Sequence, residues 1–303
     1  MAKRKSAFSS FESTHFSFTP KATSFEELGS LVADYDSVVV GSDQLWLPVN
    51  IAGRYFTLSF VRPPVRKVSY STSFGVSSLP ENYLRKTKEF LSDFSAISVR
   101  EDTGADLVEK ATGKRCAVVC DPTMLLTGNQ WSSLADSSSI SVPDEPYVFC
   151  YFMGKNAWNR ECALDLAKRH NLKIVAIAHP DEYVKTDDDY ADYYPWEAGP
   201  AEWVNLIAHA SYVCTDSFHG SVFSNIFEVP FFSFRRHENM GAQSTNSRID
   251  TLLRVLGNSD RICESKDAFH TAMANEIDFA SVRQRLNAYR NESANWLQSA
   301  LEL

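Results

Sequence analysis

The sequence predicts an α/β protein made of two successive halves with a cleft between them. Three observations carry that expectation. Short β-branched or aromatic runs alternate with helix-length stretches, the pattern of parallel strands covered by helices. The alternation pauses over residues 131–145, a Ser-rich stretch with Pro143 and Pro146 at its end, and restarts at Tyr147. The stretch Tyr212-Val213-Cys214-Thr215-Asp216-Ser217-Phe218-His219-Gly220-Ser221-Val222-Phe223 reads as buried strand, polar turn and apolar helix. Such a unit places backbone N–H groups and a helix N-terminus at the carboxyl end of a sheet, where anions are held. The pause marks the domain boundary, giving an N-terminal α/β domain over 1–140 and a C-terminal one over 141–303.

The elements follow in order. Residues 1–25 are rich in Ser, Phe and Thr with weak periodicity, and read as a short helix and a loop or as a partly disordered segment. Ser24 before Phe25-Glu26-Glu27 reads as a helix cap. The run Ser37-Val38-Val39-Val40 reads as a buried strand closed by a glycine turn, Gly41-Ser42-Asp43. Further strands are expected at 67–72, 96–99 and 117–120, with helices at 81–94 and 103–110. After the pause come strand 147–152, helix 160–170 and strand 173–178. An acidic, Tyr-rich loop over 181–194 and a helix over 200–209 lead to the strand at 212–214. The helical run after it ends at Phe227 and is stopped by Pro230. Strand 231–234, a polar loop over 235–246 and helix 248–256 follow. A last helix is expected at 279–301 by its apolar spacing, with no strand after it. There is no internal repeat beyond the alternation.

Composition excludes several classes. A net charge of −8 argues against bulk nucleic-acid binding, which needs a basic face. No apolar run is long enough to span a bilayer. The basic start Met1-Ala2-Lys3-Arg4-Lys5 has no apolar region after it, so it does not read as a secretory signal. The cysteines Cys116, Cys120, Cys150, Cys162, Cys214 and Cys263 form no C-x-x-C pair, and mostly lie in apolar surroundings. They read as buried thiols of a reducing cytoplasm. No GxGxxG, Walker loop or zinc pattern occurs.

The candidate site residues gather at strand ends. His219 sits at a glycine turn, and Gly220 is expected to let a ligand approach the backbone. Asp216 and Ser217 read either as helix caps or as ligand contacts, with the Ser217 hydroxyl suited to a phosphate. Gly41-Ser42-Asp43 reads either as a capped turn or as a second site. With the two halves face to face, Asp43 and His219 would form an acid/base pair. Arg100 ends a strand, where its guanidinium forks onto an anion or pairs with Glu101 or Asp102. Asp121-Pro122-Thr123 reads as a structural turn, or as one whose Asp lines the cleft. Arg235-Arg236-His237 reads as a basic loop, exposed or ligand-facing. Ser247-Arg248 puts a cation near a helix start, against the helix dipole, which suggests an anion nearby. The run Asp187-Asp188-Asp189 lacks calcium-loop spacing and reads as a solvated loop. The aromatic stretch from Tyr183 to Trp196 suits either sugar stacking or packing.

Together, Gly41-Ser42-Asp43-Gln44-Leu45-Trp46, Ser98-Val99-Arg100-Glu101, Asp121-Pro122-Thr123-Met124-Leu125-Leu126, Gly199-Pro200-Ala201-Glu202-Trp203 and Thr215-Asp216-Ser217-Phe218-His219-Gly220 resemble, in order, the polysaccharide pyruvyl transferase family. They span residues 30–255. The resemblance implies a GT-B-like fold, two Rossmann-type domains facing across a cleft, with the acceptor on the N-terminal and the donor on the C-terminal side. It implies transfer of a carboxyvinyl or pyruvyl group from phosphoenolpyruvate to sugar hydroxyls, giving a pyruvate ketal, with no metal and no resident cofactor. The acceptor would be a polysaccharide or lipid-linked oligosaccharide. The protein would be cytoplasmic, meeting a membrane only peripherally through its substrate. Well-known members carry arginine where this chain has Ser217, so Arg100, Arg236 and Arg248 are the expected holders of donor phosphate. Members also open with a strand and glycine turn that has no counterpart before Ser37. The expectation is a shortened first domain, which puts the acceptor pocket and turnover at stake. Two rival readings stand beside this one. One is a nucleotide-sugar glycosyltransferase on the same fold; the other is a non-catalytic relative that binds sugar or anion.

Overall fold

A computed structural model describes residues 2–179, 183–236 and 246–302. In chain order the elements are α1 (Ala2–His15), α2 (Phe25–Leu31), β1 (Ser37–Val40), α3 (Pro48–Gly53), β2 (Arg66–Thr72), α4 (Glu81–Leu91), β3 (Ala96–Val99), α5 (Asp102–Thr112), β4 (Ala117–Val118) and α6 (Gly128–Ala135). There follow β5 (Tyr147–Tyr151), α7 (Ala157–His170), β6 (Lys173–Ile177), α8 (Pro200–Ala208), β7 (Tyr212–Thr215), α9 (Phe218–Ile226), β8 (Phe231–Phe234), α10 (Ser247–Leu256), β9 (Ile262–Cys263), α11 (Lys266–Met273) and α12 (Phe279–Leu301).

The chain forms two compact units. One comprises Phe18–Leu125, Asn239–Val255 and Leu286–Leu303; the other comprises Met1–Ser17, Leu126–Glu238 and Leu256–Arg285. Neither is a continuous segment, whereas the sequence reading set a single break over 131–145. The opening of that stretch, up to Ala135, belongs to α6, which is started by a capping box in which Thr127 and Gln130 exchange bonds. A change in composition marks where polar residues gather. It does not report which core the terminal helices cover.

The β1–β4 unit carries a parallel sheet in the order β1-β2-β3-β4. Its core is Trp46, Phe74, Val99 and Leu107 with their neighbours. The Trp46 ring meets the edges of Phe90 and Phe94, and its indole N–H donates to the Phe56 carbonyl at 3.1 Å. Ser24 caps α2, accepting from the Glu27 N–H.

The β5–β9 unit holds a parallel sheet in the order β6-β5-β7-β8-β9. The sheet's first strand in the chain, β5, lies one in from the edge; the chain steps outward to β6, then crosses back to β7 on the other side of β5. That reversal makes the carboxyl ends of β5 and β7 a topological switch point, where open α/β sheets bind ligands. Val148, Cys150, Ala176, Cys214 and Phe232 fill this core. All six cysteines are free thiols. Burial pushes the Cys162 thiol up to about 11, the Cys263 thiol up to about 12 and the Cys214 thiol up as well. Among the described residues no helix is long and apolar enough to cross a membrane. No group of three or more His, Cys, Asp or Glu there could hold a metal ion.

Candidate active site

The turn after β7 is built by Thr215. Its hydroxyl donates to the Tyr151 carbonyl at 2.7 Å and accepts the Ser217 N–H at 3.0 Å. This ties the ends of β5 and β7 together and sets the entry into α9. Ser217 is the helix cap, accepting the Gly220 N–H at 3.4 Å. Asp216 is not a cap. Its buried carboxylate turns to the loop after β5, where it accepts the Met153 N–H at 2.6 Å and the Gly154 N–H at 2.8 Å. Arg236 stands by it, with Nε 3.7 Å from the carboxylate and a bond of 3.2 Å to the Asp216 carbonyl.

Gly220 has a packing role of its own. A Cβ there would lie 2.9 Å from both Cβ and Cγ2 of Thr215. The missing side chain lets the first turn of α9 close on the strand that feeds it.

His219 is half-buried in the first turn of α9, with the Phe218 ring edge-on to it. Ser217 and His219 line a cavity of about 370 Å³ whose walls are aromatic: Trp131, Tyr151, Trp203 and Phe223 from this unit's framework, with Phe8 and Phe11 from α1. Trp203 is central to these walls, its ring 5.1 Å from Phe223 and 5.5 Å from Tyr151, and Trp131 lies 4.9 Å from Phe223. The sequence reading missed α1 as a wall. The signal was present: Arg4, Phe8 and Phe11 recur at the helical spacing i, i+4, i+7, and all three line the cavity. Gly199, at the start of α8, marks where α1 packs, since a Cβ there would lie 2.7 Å from the Ala7 Cβ.

The other constellation lies in the β1–β4 unit. Arg100, at the end of β3, is fully buried, and Nη1 donates to Asp121 at 2.8 Å and to the Ser42 hydroxyl at 3.2 Å. Its Nη2 reaches Asp43 at 3.3 Å. Ser42 donates to the same Asp121 oxygen at 2.6 Å, while the other oxygen receives the Thr123 N–H and hydroxyl. The carboxylates paired with Arg100 are therefore Asp121 and Asp43, not Glu101 or Asp102 as its sequence neighbours suggested. Asp121 is more than a turn residue; it closes the network. Gly41 contributes its carbonyl, which accepts the Thr72 hydroxyl at 2.8 Å. Asp43 adopts the left-handed conformation (φ 78°), and its side chain remains 62% exposed.

Glu101, next to Arg100, is wholly buried. Burial raises its carboxyl above the usual range, against the pull of Arg100, the Ser73 hydroxyl, Arg248 and the Phe74 N–H. Arg248 is buried near the start of α10, and its field on Glu101 shows one anion that this cation serves. Ser247 accepts the Thr103 hydroxyl at 3.1 Å. Arg235 forks onto Glu264, and His237 lies outside the described residues. Asp187 is pinned by Arg160 at 2.6 Å rather than solvated; Asp188 and Asp189 are exposed. Tyr183 and Trp196 of the aromatic loop are exposed, and Trp196 stacks on Tyr194.

Two parallel sheets with interleaved helices make this a GT-B-like α/β protein. Its fold is similar to that of UDP-GlcNAc 2-epimerase from Methanocaldococcus jannaschii in complex with UDP-GlcNAc and UDP: TM-score 0.52 and 14% identity, over 87% of this chain and 78% of that one. The epimerase from Rickettsia bellii gives TM-score 0.49 and 12% identity, over 92% and 78% of the two chains. The fold class rests on the first of these. No curated protein matches the chain. The profile of the polysaccharide pyruvyl transferases matches residues 3–238, and the chain belongs to that family.

Proposed function

We propose that the protein moves a pyruvyl group from phosphoenolpyruvate to two hydroxyls of a saccharide, releasing phosphate and leaving a pyruvate ketal. The observation that carries this reading is the turn Thr215–Gly220. In a chain of this family, it sets a hydroxyl and an imidazole at a helix N-terminus beside a cavity. The donor phosphate would be received by the Ser217 hydroxyl and the first N–H groups of α9, with Arg236 beside them. Ser217 and Arg236 then share the task that one arginine performs in other members. Arg100, tied to Asp121 and Asp43, is better suited to fixing Asp43 than to holding phosphate.

A proton is delivered to the methylene carbon of phosphoenolpyruvate, leaving cation character at the adjacent carbon. One sugar hydroxyl bonds to that carbon and gives up its proton to a base. The carbon–oxygen bond to phosphate then breaks, the phosphate leaving with that electron pair, and a second hydroxyl bonds to the same carbon and gives up its proton to the departing phosphate. His219 serves as the acid or the base of these proton transfers. The donor is consumed as a substrate, and the chemistry calls for no resident cofactor. The reading sets the reaction in the cytoplasm, with a polysaccharide or lipid-linked acceptor.

The test is incubation with phosphoenolpyruvate and a panel of nitrophenyl and lipid-linked sugars, following phosphate release and sugar mass. A sugar that gains a pyruvate ketal is the expected product, and His219→Ala should lower its formation by at least about a hundredfold. Normal turnover by that variant would end the assignment. Failure of every acceptor to gain mass would end the reading itself.

A further inference from the structure

We infer that Asp216 is a positioning residue: it holds Arg236 at the turn after β7 by charge, and leaves that arginine's own donors for an anionic ligand. The inference rests on the proposed function for the anion that Arg236 meets, the donor phosphate. Asp216 acts only through Arg236.

The Asp216 side chain is wholly buried, and each of its oxygens already has a backbone donor. Oδ1 takes the Met153 N–H at 2.6 Å and Oδ2 the Gly154 N–H at 2.8 Å. Arg236 therefore meets a carboxylate that needs no hydrogen bond from it. Its Nε lies 3.7 Å from Oδ1, within ion-pair range but too far for a hydrogen bond. The one hydrogen bond its side chain makes among the described residues runs from Nη2 to the Asp216 carbonyl, at 3.2 Å. That carbonyl belongs to the peptide leading into Ser217, so the guanidinium stands at the turn itself. The side chain is 24% exposed. Arg100 is the opposite case, buried with its Nη groups spent on Asp121, Ser42 and Asp43. A carboxylate whose charge is shared with two N–H groups holds a cation by its field and consumes none of its donors.

The clamp draws on three strand ends. Asn156, in the loop after β5, donates to the Arg235 and Arg236 carbonyls at 3.1 and 3.3 Å, which ties the chain after β8 to that loop. Arg160 of α7 braces the same loop by its carbonyls, donating to Gly154 at 2.8 Å and Asn156 at 3.2 Å, and is itself held by Asp187. At Gly154 a Cβ would lie 2.8 Å from Oδ2 of Asp216 and 3.0 Å from Cγ of Arg236. The missing side chain lets the acid and the cation close on the loop together. An arginine left loose past a strand end loses its rotamer freedom when a ligand binds. Held in advance, it loses that freedom on folding, and binding is tighter by the difference.

The experiment is calorimetric titration of the whole chain with inorganic phosphate and, separately, with phosphoenolpyruvate. Arg236→Ala should weaken both about tenfold to a hundredfold. Asp216→Asn keeps the shape and removes the charge, and should weaken both by a similar factor. Because Asp216 acts through Arg236, the double variant should bind no worse than Arg236→Ala alone. A merely structural role would let the two losses multiply. Melting temperatures check that each variant folds. Where Asp216→Asn does not, the same cycle is run with Asn156→Ala, which frees the Arg236 backbone at a half-buried position, and the same outcomes decide. Unchanged affinity in the folded variant overturns the inference, as do losses that multiply, phosphate binding that survives Arg236→Ala intact, or no phosphate binding by the unaltered chain. Coupled losses without pyruvyl transfer to any sugar would sink the proposed function and leave this role standing. Transfer that needs His219, with losses that multiply, would do the reverse.

Discussion

The turns that close β1 and β7 are written in similar residues, Gly-Ser-Asp in one and Thr-Asp-Ser with a following glycine in the other, yet they settle their charge differently. After β1, charge answers charge: Arg100 is held by Asp121 and Asp43, with Ser42 bridging. After β7, charge is largely answered by backbone: Asp216 takes two loop N–H groups, and Ser217 caps a helix. What the second turn leaves facing its cavity is a hydroxyl and an imidazole. An ion-pair network fixes side chains rigidly but commits its cations. A backbone-anchored turn fixes the chain through N–H groups and needs no cation network to do so.

The comparison breaks most readily at Asp121. Its removal in Asp121→Ala leaves a buried guanidinium short of a partner, and should cost about 3–5 kcal/mol in urea unfolding. A loss under about 1 kcal/mol would mean that Asp43 alone neutralises Arg100. The second turn breaks sterically instead. Gly220→Ala presses a methyl onto Thr215 and should cost about 1–3 kcal/mol. Loss of stability without loss of saccharide binding would show that this glycine serves packing alone.

A smaller effect sharpens the contrast through two buried glutamates at helix starts. Burial raises Glu101. Glu202 is lowered: burial works upward there too, but the Ser139 N–H and hydroxyl and the Gly199 N–H outweigh it. The signs follow from proton counts. Between its usual value and its raised native one, folded Glu101 binds more protons than unfolded, so stability falls as pH rises through that window. The slope is at most about 1.4 kcal/mol per pH unit. Glu202 contributes stability above the usual carboxylate range, and loses it as pH falls through its lowered value. Unfolding measured against pH should show Glu101→Gln flattening the first slope and Glu202→Gln the second. If neither slope changes, burial has not set these charges.

Much of the frame was legible in the sequence because parallel strands advertise themselves. Ser37–Val40, Ala96–Val99 and Phe231–Phe234 are short apolar runs with turn residues after them, and α12 follows its apolar spacing to the residue. The two-residue strand β9 and the helix α11 carry too few residues for a period to show. Within the site, His219 and Ser217 were readable from their place after a buried strand. The partners of Asp216 and Arg100 were not, since Met153, Gly154 and Asp121 are brought to them by tertiary pairing. Gly220 was legible as special, but its packing role was not, because only the packed structure shows Thr215 against it.

The distribution of thiols gives each unit its own clock. Cys150, Cys162, Cys214 and Cys263 belong to the β5–β9 unit, and Cys116 and Cys120 to the β1–β4 unit. Buried thiols react slowly until the chain around them opens. Alkylation followed peptide by peptide therefore times the opening of each sheet separately. A saccharide that slows labelling at Cys214 but not at Cys120 would reveal which sheet it steadies, with no label added and no product formed.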